Sequence, residues 1–336
     1  MIKEALWYEQ LSEKKIHCLL CPHDCVILPG AGGRCRVRKN QDGILIASNY
    51  GKAGGYALDP VEKKPLYHFY PRTQVLSVGA RGCNLKCEFC QNWQLAHGDH
   101  DEVDITPLGL LNAAERYQAY YDVIGLAYTY SEPLMWYEFV LDACRLARQS
   151  GMKNVIVTNG YINQDPLQQL LPYVDAMNID VKGFTNEFYE KVAHGTLEPV
   201  LKTAETAKKQ GCHVEITTLH IPGMNDSPKE IRCLVEWIAS ALGGDTPLHF
   251  SRYFPNYKLR LDPTPMETLE QARKIALDKL DYVYLGNTGS GEYVNTFCPS
   301  CGFKVIARDS GRVDIPGLKG NTCAQCGKEL NIIIGE

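Results

Sequence analysis

The sequence predicts an α/β protein of parallel strands and crossover helices, and two observations carry that prediction. Between residues 73 and 290, short runs rich in β-branched and aromatic residues alternate with longer amphipathic stretches. Most of those short runs also end in polar, chemically capable residues, as expected where strand ends build an active face. The strand candidates are 74–79, 123–129, 154–158, 176–181, 213–219, 247–251 and 282–285. Helix candidates fill the gaps at 107–121, 135–149, 199–210, 228–241 and 266–280, several opening with proline near the first turn. Repeated strand–helix units of this kind close into a barrel or open into a doubly wound sheet. Residues 36–72, rich in Gly, Pro and Tyr, read as short strands and turns leading into this region.

At 336 residues the chain fits one barrel-sized domain with small appendages, and 45% hydrophobic residues leave no room for long disorder. A net charge of −4 provides no global attraction to nucleic acid or anionic membrane, although a local basic face is compatible with it. No apolar run approaches a membrane span, and the first ten residues lack a secretory pattern, so a cytoplasmic location is expected. In that reducing compartment the 14 cysteines point to metal binding rather than disulfides.

Eleven of the 14 cysteines fall into three groups: Cys18, Cys21, Cys25 and Cys35; Cys83, Cys87 and Cys90; and Cys298, Cys301, Cys323 and Cys326. The other three, Cys144, Cys212 and Cys233, are expected to be small buried thiols. In the central group three thiolates stand at C-x3-C-x2-C spacing directly after a predicted strand. A four-iron cluster takes four thiolates, so a three-cysteine loop leaves one iron without a protein ligand. An open position converts a structural metal centre into a reactive one, and S-adenosylmethionine (SAM) can fill it through its amino and carboxylate groups. The competing reading is a cluster or zinc site completed by a distant side chain. Phe89, between the last two ligands, can face the cluster or the adenine ring, or belong to the core.

The stretch Gly82-Cys83-Asn84-Leu85-Lys86-Cys87-Glu88-Phe89-Cys90-Gln91-Asn92-Trp93, with Glu62-Lys63-Lys64-Pro65-Leu66-Tyr67-His68-Phe69 before it, resembles radical SAM proteins related to pyruvate formate-lyase activating enzyme. Within them it is most similar to the AmmeMemoRadiSam group, found beside Memo and AMMECR proteins. The resemblance runs from about Cys18 to Cys326. It implies a partial (β/α)6-type TIM barrel, a [4Fe-4S] cluster on Cys83, Cys87 and Cys90, SAM as cosubstrate, and an electron donor of the reduced flavodoxin or ferredoxin type. It further implies that Glu132 receives the SAM ammonium, that Thr158 and Asn159 bond its methionyl or ribose part, and that Asp180 and Lys182 position charged groups. A solvated helix-entry acid and a simple strand-end ion pair are the plainer alternatives for Glu132 and for the Asp180–Lys182 pair. Val157 and Phe254 depart from the pattern of the activating enzymes. His220 and His249, near strand ends, are candidates to compensate, against a purely structural role.

Cys298-Pro-Ser-Cys301 and Cys323-Ala-Gln-Cys326 form two C-x2-C knuckles, the signature of a closed zinc ribbon or rubredoxin-like module. The first group, at C-x2-C-x3-C-x9-C, is a second closed set for which zinc and an auxiliary iron–sulfur cluster are both open. The expected layout is therefore an N-terminal four-cysteine metal segment over 1–72, a barrel over 73–290 and a zinc ribbon over 291–336. Three functions compete: radical chemistry on a metabolite, peptide or RNA; activation of a glycyl-radical partner protein; and a non-catalytic iron–sulfur or zinc scaffold.

Overall fold

The computed structural model describes residues 2–289 and 291–335. The chain opens with an antiparallel sheet of β1 (Tyr8–Gln10), β2 (Ile16–Cys18) and β3 (Val26–Ile27), followed by a hairpin of β4 (Arg38–Gln41) and β5 (Ile44–Ala47). β6 (Lys52–Ala53) leads into β7 (Tyr56–Pro60) and β8 (Gln74–Val78), and pairs with the later β9 (Val103–Asp104). β10 (Val123–Tyr128), β11 (Lys153–Thr158), β12 (Ala176–Asp180), β13 (His213–His220), β14 (Leu248–Arg252) and β15 (Val283–Gly286) complete the main sheet. Its order is β15-β14-β13-β12-β11-β10-β8-β7, with every pairing parallel except β7 with β8.

All seven parallel strands coincide with predicted ones, because each is a short, largely apolar run set between longer amphipathic stretches. The sheet is open, since β7 and β15 are its two edges. It exceeds a six-strand barrel by one parallel strand and one antiparallel one. The division placed at residue 72 also falls inside this sheet, because β7 is hydrogen-bonded to β8 along its whole length.

The helices are α1 (Trp93–His97), α2 (Pro107–Gln118), α3 (Tyr137–Gln149), α4 (Gln164–Leu170), α5 (Asn186–Phe188), α6 (Glu198–Lys209), α7 (Pro228–Trp237) and α8 (Met266–Ala276). Of the helices that open on proline, two start on side-chain caps: Thr106 Oγ1 accepts from the Gly109 N–H at 2.9 Å, and Ser227 Oγ from the Glu230 N–H at 3.2 Å. Each cap is followed by a proline that has no N–H to satisfy. No helix among the described residues is long and apolar enough to cross a membrane.

One core joins the N-terminal segment to the sheet, with Cys18, Leu20, Cys35 and Val37 packed in the same cluster as Leu76, Leu126 and Ile156. A second, smaller core sets Val61, Leu66 and Phe69 against Val75, Ala127, Val155 and Ala176 of the sheet. A third holds the C-terminal module, in which β16 (Thr296–Phe297), β17 (Lys304–Asp309) and β18 (Arg312–Asp314) precede the hairpin of β19 (Leu318–Lys319) and β20 (Thr322–Cys323). Cys144 and Cys212 are buried as expected, but Cys233 is exposed. The buried side of α7 carries Ile231, Leu234 and Val235, which turns position 233 outward.

Candidate active site

The loop after β8 starts at Gly79, where a Cβ would meet the Thr129 carbonyl oxygen at 2.5 Å, so only glycine lets β8 and β10 run this close at their ends. Gly82 follows at φ +114°, pressed against Val37, and delivers Cys83 to the rim. Cys83, Cys87 and Cys90 then line a cavity of about 370 Å³ at the carboxyl ends of the strands. Phe89, Glu132, Thr158, Asn159, Asp180 and Lys182 line the same cavity, so all nine candidate residues of the barrel are brought together. Burial raises the pKa of all three thiols: Cys83 well above its usual range, Cys87 to about 11 with Lys182 pulling it back, and Cys90 more modestly. Thiols held this way release their protons to a metal that replaces them.

Glu132 caps the turn after β10 and is almost wholly buried. One carboxylate oxygen accepts from the Leu134 N–H at 3.0 Å and from Thr158 Oγ1 at 2.6 Å; the other accepts from the Asn159 N–H at 2.8 Å. Burial pushes its pKa up to about 7 although those donors pull it down. Each carboxylate oxygen takes about two hydrogen bonds, so the second retains room for one donor from the cavity. Asn159 donates its side-chain N–H groups to Cys83 Sγ at 3.7 Å and Asn84 Oδ1 at 3.0 Å, while its Oδ1 accepts from the Tyr161 N–H at 2.8 Å. It therefore touches a candidate ligand sulfur directly. Lys182 Nζ bonds Asp180 Oδ2 at 3.1 Å; burial lowers the lysine pKa, but Asp180 and Cys87 more than reverse this.

The two histidines take no place in the cavity. His220 faces the helix layer against Phe250, fully buried, and burial lowers its pKa to about 4. His249 Nε2 bonds Glu215 Oε2 at 2.6 Å. Val157 lines the cavity, whereas Phe254 is 42% exposed beneath the Arg252 guanidinium. Sequence reasoning assigned no role to Lys63, Lys64, Pro65, Tyr130, Asn178 and Thr217, which also line it. Lys64 is buried and bonds Asp59 Oδ2 at 2.8 Å, as does the Tyr130 hydroxyl. Burial alone would raise the Asp59 pKa, and these two partners outweigh it. Asn178 Oδ1 and Thr217 Oγ1 are buried with no partner within the protein. The alternation of β12 and β13 carried this signal, since a polar residue at an inward position of a barrel strand points at the site.

At the C-terminus, Cys298 Sγ and Cys326 Sγ lie 3.6 Å apart and Cys301 Sγ and Cys323 Sγ 3.7 Å apart, with all four sulfurs within 4.8 Å of one another. A tetrahedral ion with bonds of about 2.3 Å requires sulfur–sulfur edges of about 3.8 Å, so the four thiols fit a single metal ion. Among the described residues this is the one group of potential metal ligands drawn together so tightly. Cys18, Cys21, Cys25 and Cys35 lie in one segment, with the Cys18 N–H donating to the Cys25 carbonyl at 2.9 Å.

An open, largely parallel sheet with a three-cysteine loop beyond its first parallel strand defines a class of iron–sulfur enzymes, and the Radical SAM superfamily pattern matches residues 77–235. The chain belongs to the radical SAM superfamily. It is 45% identical over 340 residues to the uncharacterized protein MJ0808 of Methanocaldococcus jannaschii, covering 99% of this chain and 100% of that one. It is 26% identical to the pyruvate formate-lyase-activating enzyme of Clostridium pasteurianum, over 59% of this chain and 86% of the relative. Its fold is similar to that of Streptococcus suis SuiB bound to S-adenosylmethionine, with a TM-score of 0.51 at 14% identity, over 71% of this chain and 60% of that one.

Proposed function

We propose that this radical SAM enzyme abstracts hydrogen from a small metabolite, a peptide or an RNA, and that it belongs to the AmmeMemoRadiSam group. The observation that carries the reading is the convergence of Cys83, Cys87, Cys90, Glu132, Asp180 and Lys182 on one cavity at the strand ends. The residues fit the cofactors of the family. Three soft thiol ligands share one loop, a buried carboxylate has room for one more donor, and the volume lies within the range of about 300–1,000 Å³ usual for cofactor pockets.

A [4Fe-4S] cluster bound here would supply the electron for reductive cleavage of SAM, the chemistry by which hydrogen would be taken from the substrate. Cys83, Cys87 and Cys90 would hold that cluster, and Asn159, which donates to the Cys83 sulfur, would tune its potential. Glu132 receives the SAM ammonium in a dry site, where a charge-assisted bond is strong. Thr158 orients the carboxylate of Glu132. Lys182, fixed by Asp180, offers a buried cation to an anionic group. Asn178 Oδ1 and Thr217 Oγ1 offer hydrogen bonds to a polar substrate. The C-terminal quartet holds zinc, and the flavodoxin or ferredoxin class supplies the electron.

Action on a glycyl-radical partner protein is the second reading, favoured by the likeness to pyruvate formate-lyase-activating enzyme. The test is anaerobic turnover with deuterated candidate substrates. Deuterium in 5′-deoxyadenosine from a small molecule, peptide or RNA supports the first reading, and deuterium from a protein backbone glycine alone overturns it. Cys83→Ala should abolish 5′-deoxyadenosine formation while leaving zinc bound.

A further inference from the structure

Two side chains of the cavity hold polar atoms that no protein group meets, and both lie below its rim. Asn178 is wholly buried and Thr217 only 8% exposed, yet each lines the cavity. Asn178 stands two residues before Asp180 on β12, so it points to the same face of the sheet one pleat deeper. Thr217 on β13 lies beside Asp180 in the parallel register, which makes Asn178 its diagonal neighbour. Diagonal neighbours on one face are close enough for a single polar group to bridge their side chains.

The surroundings fix the chemistry of both atoms. Asn178 Nδ2 donates to the Pro65 carbonyl at 2.8 Å, and a carbonyl can only accept. The amide is therefore held with its nitrogen toward Pro65, which leaves Oδ1 as a pure acceptor with no partner in the protein. Thr217 Oγ1 also lacks a partner, and a hydroxyl both gives and takes a hydrogen bond. The lysines of the lining, by contrast, are matched: Lys63 and Lys64 to Asp59 at 3.1 and 2.8 Å, and Lys182 to Asp180 at 3.1 Å. Among the described residues, Asn178 and Thr217 are the two lining side chains with a buried, unmet polar atom, and both are neutral.

Buried polar atoms left unpaired are costly, so the ligand that suits this pair satisfies both. A carboxylate or phosphate oxygen brings no proton for Asn178 and sets oxygen against oxygen. An ammonium offers no lone pair to the Thr217 proton and buries a charge with no free counter-charge. A hydroxyl gives its proton to Asn178 Oδ1 and accepts the proton of Thr217 Oγ1, which closes both. We propose that Asn178 and Thr217 select a small molecule by one of its hydroxyl groups, an alcohol or polyol bound on the floor of the cavity. That this molecule is the substrate rests on the reading of the Cys83 loop as the SAM-binding centre. A free alcohol reaches that depth entire, whereas a nucleotide or a peptide residue must bring its chain in behind it.

The test is ligand-observed NMR on the full chain, reconstituted anaerobically, with matched probes: glycerol against propanediol, ribose against deoxyribose, and lactate against propionate. At least one hydroxylated probe should bind about tenfold or more tightly than its counterpart, because a site built for a hydroxyl rejects the analogue without it. Thr217→Val keeps the shape, removes the hydroxyl, and should bring that preference down to about unity. Without ligand the same variant should melt no lower than the wild type, since it breaks no side-chain hydrogen bond within the protein. A lower melting temperature would mark the hydroxyl as structural and overturn the proposal, as would a preference unchanged in Thr217→Val. Equal binding within every pair also overturns it, including the case in which a serine peptide or an RNA oligonucleotide binds instead. SAM cleavage with no preference within the pairs would sink the hydroxyl site and leave the Cys83 reading standing. A preference with no 5′-deoxyadenosine formed from SAM would do the reverse.

Discussion

Glu132 and His220 are both buried titratable side chains, and their surroundings give them opposite work. Glu132 faces the cavity with one acceptor position left, so the charge matters: Glu132→Gln places an amide against the Asn159 N–H and removes the partner of a cation. We expect SAM binding, measured anaerobically by calorimetry, to weaken by about 2 kcal/mol, the order of a hydrogen bond to a charged group. His220 has no partner for either ring nitrogen and packs on Phe250. The folded chain protonates it only near pH 4, the unfolded chain near 6.5, so between these values the unfolded state holds the extra proton. Stability present above pH 6.5 is therefore lost as the pH falls toward 4, by about 3 kcal/mol for this residue. His220→Leu should flatten that part of the pH profile in denaturant titrations and leave SAM cleavage intact. A profile unchanged by the substitution would contradict the assignment.

At the scale of elements, the seven parallel strands were legible because short, mostly apolar runs recur between longer amphipathic stretches. Helices α2, α3, α6, α7 and α8 were legible from their amphipathic period and proline starts. The short α1 and α4 were not, since five and seven residues carry too little period to register. The strand-end residues of the site were legible for the same reason as the strands, once motif and strand were read together. Lys64, Asp59 and Tyr130 were not, because nothing local announces that a loop near residue 64 will meet the turn after β10. Gly82 exemplifies a position fixed by its neighbours: φ +114° and Val37 at 2.8 Å both refuse a side chain. Gly82→Ala should cost about 1–3 kcal/mol in backbone strain alone and shift the Cys83 loop. The measurement is thermal unfolding with iron content, and a stable variant with full iron would contradict this role for the glycine.

Across the whole molecule, a buried polar network ties the C-terminal module to the strand starts. Glu215 accepts from the Tyr67 and His68 N–H groups at 3.0 and 2.8 Å, and from His213 and His249 at 3.0 and 2.6 Å. Burial would raise its pKa, and the two histidines hold it well below the usual range. Arg308 donates to the Tyr67 carbonyl at 2.6 Å from the module, and His68 Nδ1 bonds the Asn331 carbonyl at 2.7 Å. Glu215 was invisible to sequence reasoning because its partners lie up to 148 residues away. Removing it strands those donors, so Glu215→Ala should cost on the order of 3–5 kcal/mol and open the module to proteolysis. An unaltered melting temperature would exclude this role.

The proposed chemistry depends on an iron atom that Cys83, Cys87 and Cys90 would leave free. The most direct measurement is electron–nuclear double resonance on the reduced protein with SAM labelled at its amino nitrogen and carboxylate carbon. Hyperfine coupling from both labels is the predicted result, lost in Cys87→Ala. Coupling from neither label, with a side-chain nitrogen or sulfur as the fourth ligand instead, would contradict it.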